Sequence, residues 1–223
     1  MNTFYALLIA CLFVLPLYAQ VPGYTGKRQL LVADIHLFPA IRFSKLKDGM
    51  LPVNLRLGLS HEYVLSRRFS ASFTASYIQS GFDYERNGGQ ISGKGRISGY
   101  ALGLGFRMYS FRRVGNIAPL GPFQQLELLY LGHGMRDTDR LFYPDGRRKL
   151  ARFRDMGLVF TLGNQRIIHP RISYKLAVQV GTVLGLFDHR GTQDEQYLKE
   201  VATDRLQGYF FLNFHAGIGV LLF

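Results

Sequence analysis

The sequence predicts an all-β protein, an eight-stranded antiparallel transmembrane barrel wound up and down, with its outer face against lipid. Three observations lead there. Successive segments alternate apolar with small or polar residues in steps of two, which gives each strand one greasy and one polar face. Beyond residue 19 no stretch approaches the roughly 20 apolar residues of a spanning helix. Yet 48% of the chain is hydrophobic, and that surface has to be placed somewhere. Finally, the connections alternate between short turns and longer loops around an even number of strands, the arrangement of bacterial membrane barrels.

Its 223 residues suit one domain, expected at 20–223 behind a leader at 1–19. The leader is apolar from Phe4 to Leu17, is broken by Pro16, and ends Leu17-Tyr18-Ala19 before Gln20. That run is short for a spanning helix and fits a secretory signal peptide with a small residue at the cut. Its removal takes away Cys11, the only cysteine, and a chain without thiols suits an oxidising compartment. Leu8-Ile9-Ala10-Cys11 also has the form of a lipoprotein box, but a cut there would leave Leu12 to Tyr18 as a greasy new terminus.

The first strand is expected at Gln29 to Phe38, with Leu31, Ala33, Ile35 and Leu37 opposite Asp34 and His36. In the second, Val53, Leu55, Leu57 and Leu59 oppose Asn54, Arg56, Gly58 and Ser60. Ser66-Arg67-Arg68 turns tightly into a third, where Phe69, Ala71, Phe73, Ala75 and Tyr77 oppose four Ser or Thr. Asp83 to Gly95, rich in Gly, Asn and charge, reads as a loop. The fourth sets Tyr100, Leu102, Leu104 and Phe106 against Gly99, Ala101, Gly103, Gly105 and Arg107, and Arg112 to Pro122 must turn.

The fifth, about Phe123 to Gly134, alternates least cleanly, because Leu129 and Leu131 fall on its polar face. Met135 to Ala151 reads as a charged loop around Pro144-Asp145-Gly146. Met156, Leu158, Phe160 and Leu162 mark the sixth strand, and Asn164 to Pro170 the turn after it. Ile172, Tyr174, Leu176, Val178 and Val180 mark the seventh. Asp188 to Arg205 is expected as the last loop and Gly208 to Phe223 as the eighth strand, with Phe210 among its lipid-facing residues. A soluble lipocalin-like barrel or a sandwich would alternate too, but nothing requires its connections to alternate in length.

Together these features resemble the small outer-membrane β-barrel proteins of Gram-negative bacteria, in the form common among Bacteroidetes. The resembling residues are Gln20-Val21-Pro22-Gly23-Tyr24-Thr25-Gly26-Lys27-Arg28, the turn Gly115-Asn116-Ile117-Ala118-Pro119-Leu120-Gly121, and the terminal Phe223. The resemblance implies residence in the outer membrane with the N-terminus in the periplasm. It also implies a terminal strand read by the barrel-assembly machinery, and lipid and lipopolysaccharide as neighbours of a monomer.

An eight-stranded barrel is just wide enough for side chains to fill. The inward polar set is therefore expected to form a network of Arg56, Glu62, Arg107, Glu127, Lys175, Gln179, Asn213 and His215. Charges there have to pair or keep water. Glu62, Arg107, Glu127 and Lys175 all fall in the periplasmic half, two acids with two bases. His61 falls on the lipid phase, while His36, His133, His169 and His189 are placed at strand ends or in loops, without metal-ligand spacing. Tyr63, Phe69 and Tyr174 on the inner side, and Tyr77, Tyr100 and Phe210 on the outer, suit interfacial girdles.

No catalytic set stands out. Ser60 and His61 are adjacent, so their side chains leave opposite faces and cannot serve as nucleophile and base. No P-loop or dinucleotide fingerprint is present, and no cofactor is expected. The net charge of +12 is scattered over strands and loops without a recognition helix, which argues against nucleic acid. Acidic head groups of an outer leaflet, or simple solvation of loops, account for it better. For surface contact the best candidate is the loop carrying Arg136, Arg140, Phe142, Tyr143, Arg147, Arg148 and Lys149. The expected role is structural and surface-interacting, with a transport or secretion accessory and a lipid-modifying enzyme as alternatives.

Overall fold

Alternation becomes sheet in the computed structural model, which describes residues 26–39, 53–86, 91–110, 118–137, 151–185 and 193–222. Its strands are β1 (Gln29–Pro39), β2 (Val53–Val64), β3 (Phe69–Arg86), β4 (Ile91–Tyr109), β5 (Gly121–Asp137), β6 (Ala151–His169), β7 (Ile172–Val183) and β8 (Leu212–Leu221). A helix, α1 (Gln193–Phe211), lies between β7 and β8. Every strand pairs antiparallel with its neighbours in sequence, and β8 returns to β1 from Leu30↔Leu221 to Leu37↔Phe214. The result is a closed eight-stranded meander with no unpaired edge.

Parity decides what each residue meets. Leu31, Ile35, Leu57, Phe73, Leu104, Leu126, Phe160, Leu176 and Ile218 point outward and are exposed, while the residues between them close on the lumen. Interfacial Tyr77 and Tyr100 are exposed on the outside; Tyr63, Phe69 and Tyr174 are partly covered. Small residues in the wall let long side chains occupy the lumen. A Cβ at Gly103 would collide with the Glu127 carboxylate, and one at Gly217 with that of Asp34.

Several boundaries differ from the sequence reading. Strands β3 to β6 have 18, 19, 17 and 19 residues, against 11, 12, 12 and 10 for β1, β2, β7 and β8. Nine to eleven residues already span a bilayer, so β3 to β6 stand above the apolar belt as a taller wall. The loop expected at Asp83 to Gly95 is therefore mostly strand, with Tyr84↔Gly93 and Arg86↔Ile91 paired. Backbone pairing overrides polar composition there. The turn expected at Asn164 to Pro170 shrinks to Pro170 and Arg171, since β6 runs to His169.

The largest correction is α1, which replaces much of the expected last loop and the start of the expected eighth strand. Leu198, Ala202, Leu206 and Phe210 recur every four residues, a helical stripe. Thr192-Gln193-Asp194-Glu195 before them has capping-box spacing. Phe210 is two residues from Leu212, so it also fits the strand's period, which is why it reads as lipid-facing. In the fold it is the last buried residue of the helix stripe. The expected leader, Phe223 and loop residues Arg140, Phe142, Tyr143, Arg147, Arg148 and Lys149 lie outside the described residues. Arg136 falls in β5, and its side chain too lies outside them.

Candidate functional site

The lumen is filled in three layers. At the end where the short turns meet and where β1 begins and β8 ends, Val64, Tyr109, Ala118 and Phe123 form one apolar cluster, and Leu30, Val32 and Leu221 another. At the opposite end Ile78, Ile97, Ala101, Leu129, Leu131, Met135, Phe153, Val159 and Val183 pack against Ala202, Leu206 and Phe210 of α1. Leu129 and Leu131, anomalous for a polar face, thus belong to the apolar cluster that the helix completes. Gln207 accepts from the backbone N–H of Val183 at 2.7 Å, and Arg205 donates to Ser80 Oγ and the Gly81 carbonyl of β3. Because β3 and β7 are four strands apart in a ring of eight, α1 reaches across the mouth.

Between these layers sits the polar network. Arg56, Glu62, Arg107, Glu127, Lys175, Gln179, Asn213 and His215 are all buried there. The sequence reading omits Asp34, which is central. Its Oδ1 lies 3.0 Å from Lys175 Nζ and 2.9 Å from His215 Nε2, and its Oδ2 accepts from Ser60 at 2.6 Å. Three buried acids (Asp34, Glu62, Glu127) face three buried bases (Arg56, Arg107, Lys175), so their formal charges balance in this layer.

Glu62 accepts from Arg107 Nη1 at 2.5 Å, from Ser70 at 2.5 Å and from Tyr109 at 2.6 Å. Arg107 also donates to Gln125 Oε1 at 2.9 and 2.7 Å, and its guanidinium lies 4.2 Å from the centre of the Phe123 ring. Glu127 accepts from Thr74 and, at 3.1 Å, from Gln125. Lys175 thus pairs with Asp34, outside the expected set of two acids and two bases, while Glu127 is held by neutral donors. Satisfying each carboxylate with several donors is what makes such a layer tolerable in low dielectric.

Arg56 joins the middle layer to the helix. It donates to Gln179 at 3.0 Å, lies 2.9 Å from His36 Nδ1, and sits 4.8 Å from the Phe210 ring centre. His36 is not at a strand end as expected. It pairs in register with His215 across the β1–β8 closure, ring centres 4.0 Å apart. His133 is likewise inside, its Nε2 3.6 Å from Asp155 Oδ2 in the upper layer. Lys199 of α1 is close enough to act electrostatically on both. His61 does stay on the outer face, 3.2 Å from Gln29 Oε1, and His169 is exposed at the β6–β7 turn. His189 lies outside the described residues.

Chemically this is a filled interior. A small cavity remains beside Asp34, Arg56, Thr74, Glu127 and Lys175, with room for about one or two waters. Among the described residues no group of three or more His, Cys, Asp or Glu could hold a metal ion, and no helix is long and apolar enough to cross a membrane.

No protein-family model matches the sequence, and no curated protein matches it. Solved structures do. The outer membrane protein OprG from Pseudomonas aeruginosa superposes with a TM-score of 0.50 at 14% identity, over 88% of this chain and 96% of that one. The N-terminal β-barrel domain of Pseudomonas aeruginosa OprF gives 0.49 at 10% identity, covering 88% and 98%. Ail, the attachment invasion locus protein of Yersinia pestis, in complex with the heparin analogue sucrose octasulfate, gives 0.46 at 10% identity, covering 88% and 99%. The likeness to OprG is one of fold: a small eight-stranded barrel of the outer-membrane type.

Proposed function

We propose that this protein is an integral outer-membrane barrel with a plugged lumen, serving as a structural, surface-exposed element of the envelope. The observation that carries this reading is the inversion of the usual arrangement. Large apolar side chains cover the outside of the belt while charged side chains are buried inside it, Glu62 with Arg107 and Asp34 with Lys175. Such an exterior is matched by hydrocarbon, not by water. Three filled layers leave no continuous aqueous path, so general porin function is disfavoured. Lipid and lipopolysaccharide are its neighbours on this reading, with assembly guided by the C-terminal strand. A closed sheet offers no edge for a second copy, which fits a monomer. The resemblance of residues 20–28 and 115–121 to Bacteroidetes barrels is what supports that branch in this reading.

Two measurements test the two halves of this reading. Leu104 is 68% exposed at the centre of the outer belt, between Phe73 and Leu128 in register. Leu104→Arg is expected to cost about 2–4 kcal/mol of unfolding free energy in lipid vesicles, the value for a cation at the bilayer midplane. A soluble barrel would change by no more than about 0.5 kcal/mol, and that result would refute the membrane assignment. The refolded protein in a planar bilayer should give no steady openings. Large stable currents would overturn the plugged lumen and favour a transport role.

A further inference from the structure

The rim at which β1 begins and β8 ends has a one-sided charge. Among the described residues, segments 26–29, 63–69, 108–110, 118–122, 165–172 and 221–222 contain no Asp or Glu. They do contain Lys27, Arg28, Arg67, Arg68, Arg166 and Arg171. Arg67, Arg68, Arg166 and Arg171 are exposed, and Lys27 and Arg28 are half-buried. At the opposite end acids and bases are mixed, with exposed Glu200 and Asp204 as well as Arg96, Arg152 and Arg154.

These bases do not form one patch. Arg67 and Arg68 lie in the β2–β3 turn, and Arg166 and Arg171 flank the β6–β7 turn, four strands away in a closed ring of eight. Lys27 and Arg28 precede β1 between those two positions, with Lys27 Nζ 3.3 Å from the Pro170 carbonyl. Exposed apolar side chains share the same level: Leu65 beside Arg67, and Ile168 between Arg166 and Arg171. A single docking partner would meet one arc. A surrounding leaflet meets both at once, with acyl chains against Leu65 and Ile168 and phosphates at the height of the guanidinium groups. Arginine suits that role because its planar fork pairs two N–H groups with phosphate oxygens.

We infer that this rim binds the phosphate groups of anionic phospholipids in the leaflet around it, anchoring the barrel's depth and tilt. The inference rests on the membrane reading and places the anionic lipid contact at the end opposite the outer loops.

The test uses the full chain refolded into phosphatidylcholine vesicles with or without phosphatidylglycerol. Folding into phosphatidylcholine alone checks the membrane reading separately, since failure there refutes that reading whatever happens at the rim. Native mass spectrometry of protein released from mixed vesicles then gives the ratio of retained phosphatidylglycerol to phosphatidylcholine. The variant Arg67→Gln/Arg68→Gln/Arg166→Gln/Arg171→Gln should lower that ratio roughly threefold or more, and the wild-type preference should weaken with salt. Arg152→Gln/Arg154→Gln, at the far end, should leave it unchanged. A well-folded rim variant with undiminished preference overturns the inference. So does loss of binding to isolated peptidoglycan without any change in retained lipid, which would make an anionic polymer the partner.

Discussion

Arg107→Met is expected to destabilise the folded barrel by about 3–5 kcal/mol, because it leaves a carboxylate buried without its cation. Glu62 is 1% exposed and lies between the apolar floor and the rest of the polar layer, out of reach of bulk water. With the guanidinium gone it retains the hydroxyls of Ser70 and Tyr109, which cannot neutralise it. Gln125 also loses two of its donors. Urea titration of the protein in lipid vesicles, followed by the folded band's shift in unheated gels, reads the loss. Adding Glu62→Gln to Arg107→Met should return a large part of it, since neither charge then remains stranded. The coupling in that double-mutant cycle is expected at about 1–3 kcal/mol. Lys175→Met should cost less, because Asp34 keeps both Ser60 and His215. If Arg107→Met loses under about 1 kcal/mol, the pair is not the keystone of the middle layer.

Leu206→Asp is expected to release α1 from the mouth while the strands stay folded. Leu206 is fully buried in the apolar cluster that also holds Leu129, Leu131, Phe153 and Val159. Truncation of such a leucine to alanine already costs about 2–5 kcal/mol, and an uncompensated charge costs more. At about 1.4 kcal/mol per tenfold, an opening penalty lost on that scale raises the undocked population a hundredfold or more. Trypsin should then cut at Lys199 and Arg205 far faster than in the wild type, leaving the barrel's resistance to urea nearly intact. Conductance should stay absent, because the middle and lower layers still fill the lumen beneath the helix. Steady current from Leu206→Asp would show that α1 alone closes the lumen. Collapse of the whole barrel would show that the helix is not a separable cap.

The two experiments divide the interior as its chemistry does. The polar layer depends on each buried charge keeping its counter-charge and donors, whereas the helix–wall contact depends on excluding polar groups altogether. The apolar layers above and below shut bulk water out of this region, so its charges depend on side-chain partners.

Period-two alternation was enough to find eight strands, since the face a strand residue takes depends only on its parity within a few neighbours. The same parity assigned Arg56, Glu62, Arg107, Glu127, Lys175, Gln179, Asn213 and His215 to one side of the wall. It could not say which charges meet. Glu62 and Arg107 are 45 positions apart, and Lys175 finds Asp34 across the closure. Those levels are set by register and shear around the whole ring, and a one-residue slip anywhere would reassign them.

Strand height and the helix were hidden for related reasons. Polar residues in the β3–β4 hairpin mimic a loop because their pairing satisfies backbone groups above the belt, where alternation no longer has to serve lipid. Leu129 and Leu131 broke the pattern of β5 for a cause visible only once α1 was placed over them. The sequence by itself determined the strand count, the sidedness of each strand and the apolar exterior, all consequences of short-range periodicity. Only the tertiary structure decided the ion pairs, the taller wall and the capping helix, because each depends on contacts between residues that ring closure brings together from distant parts of the chain.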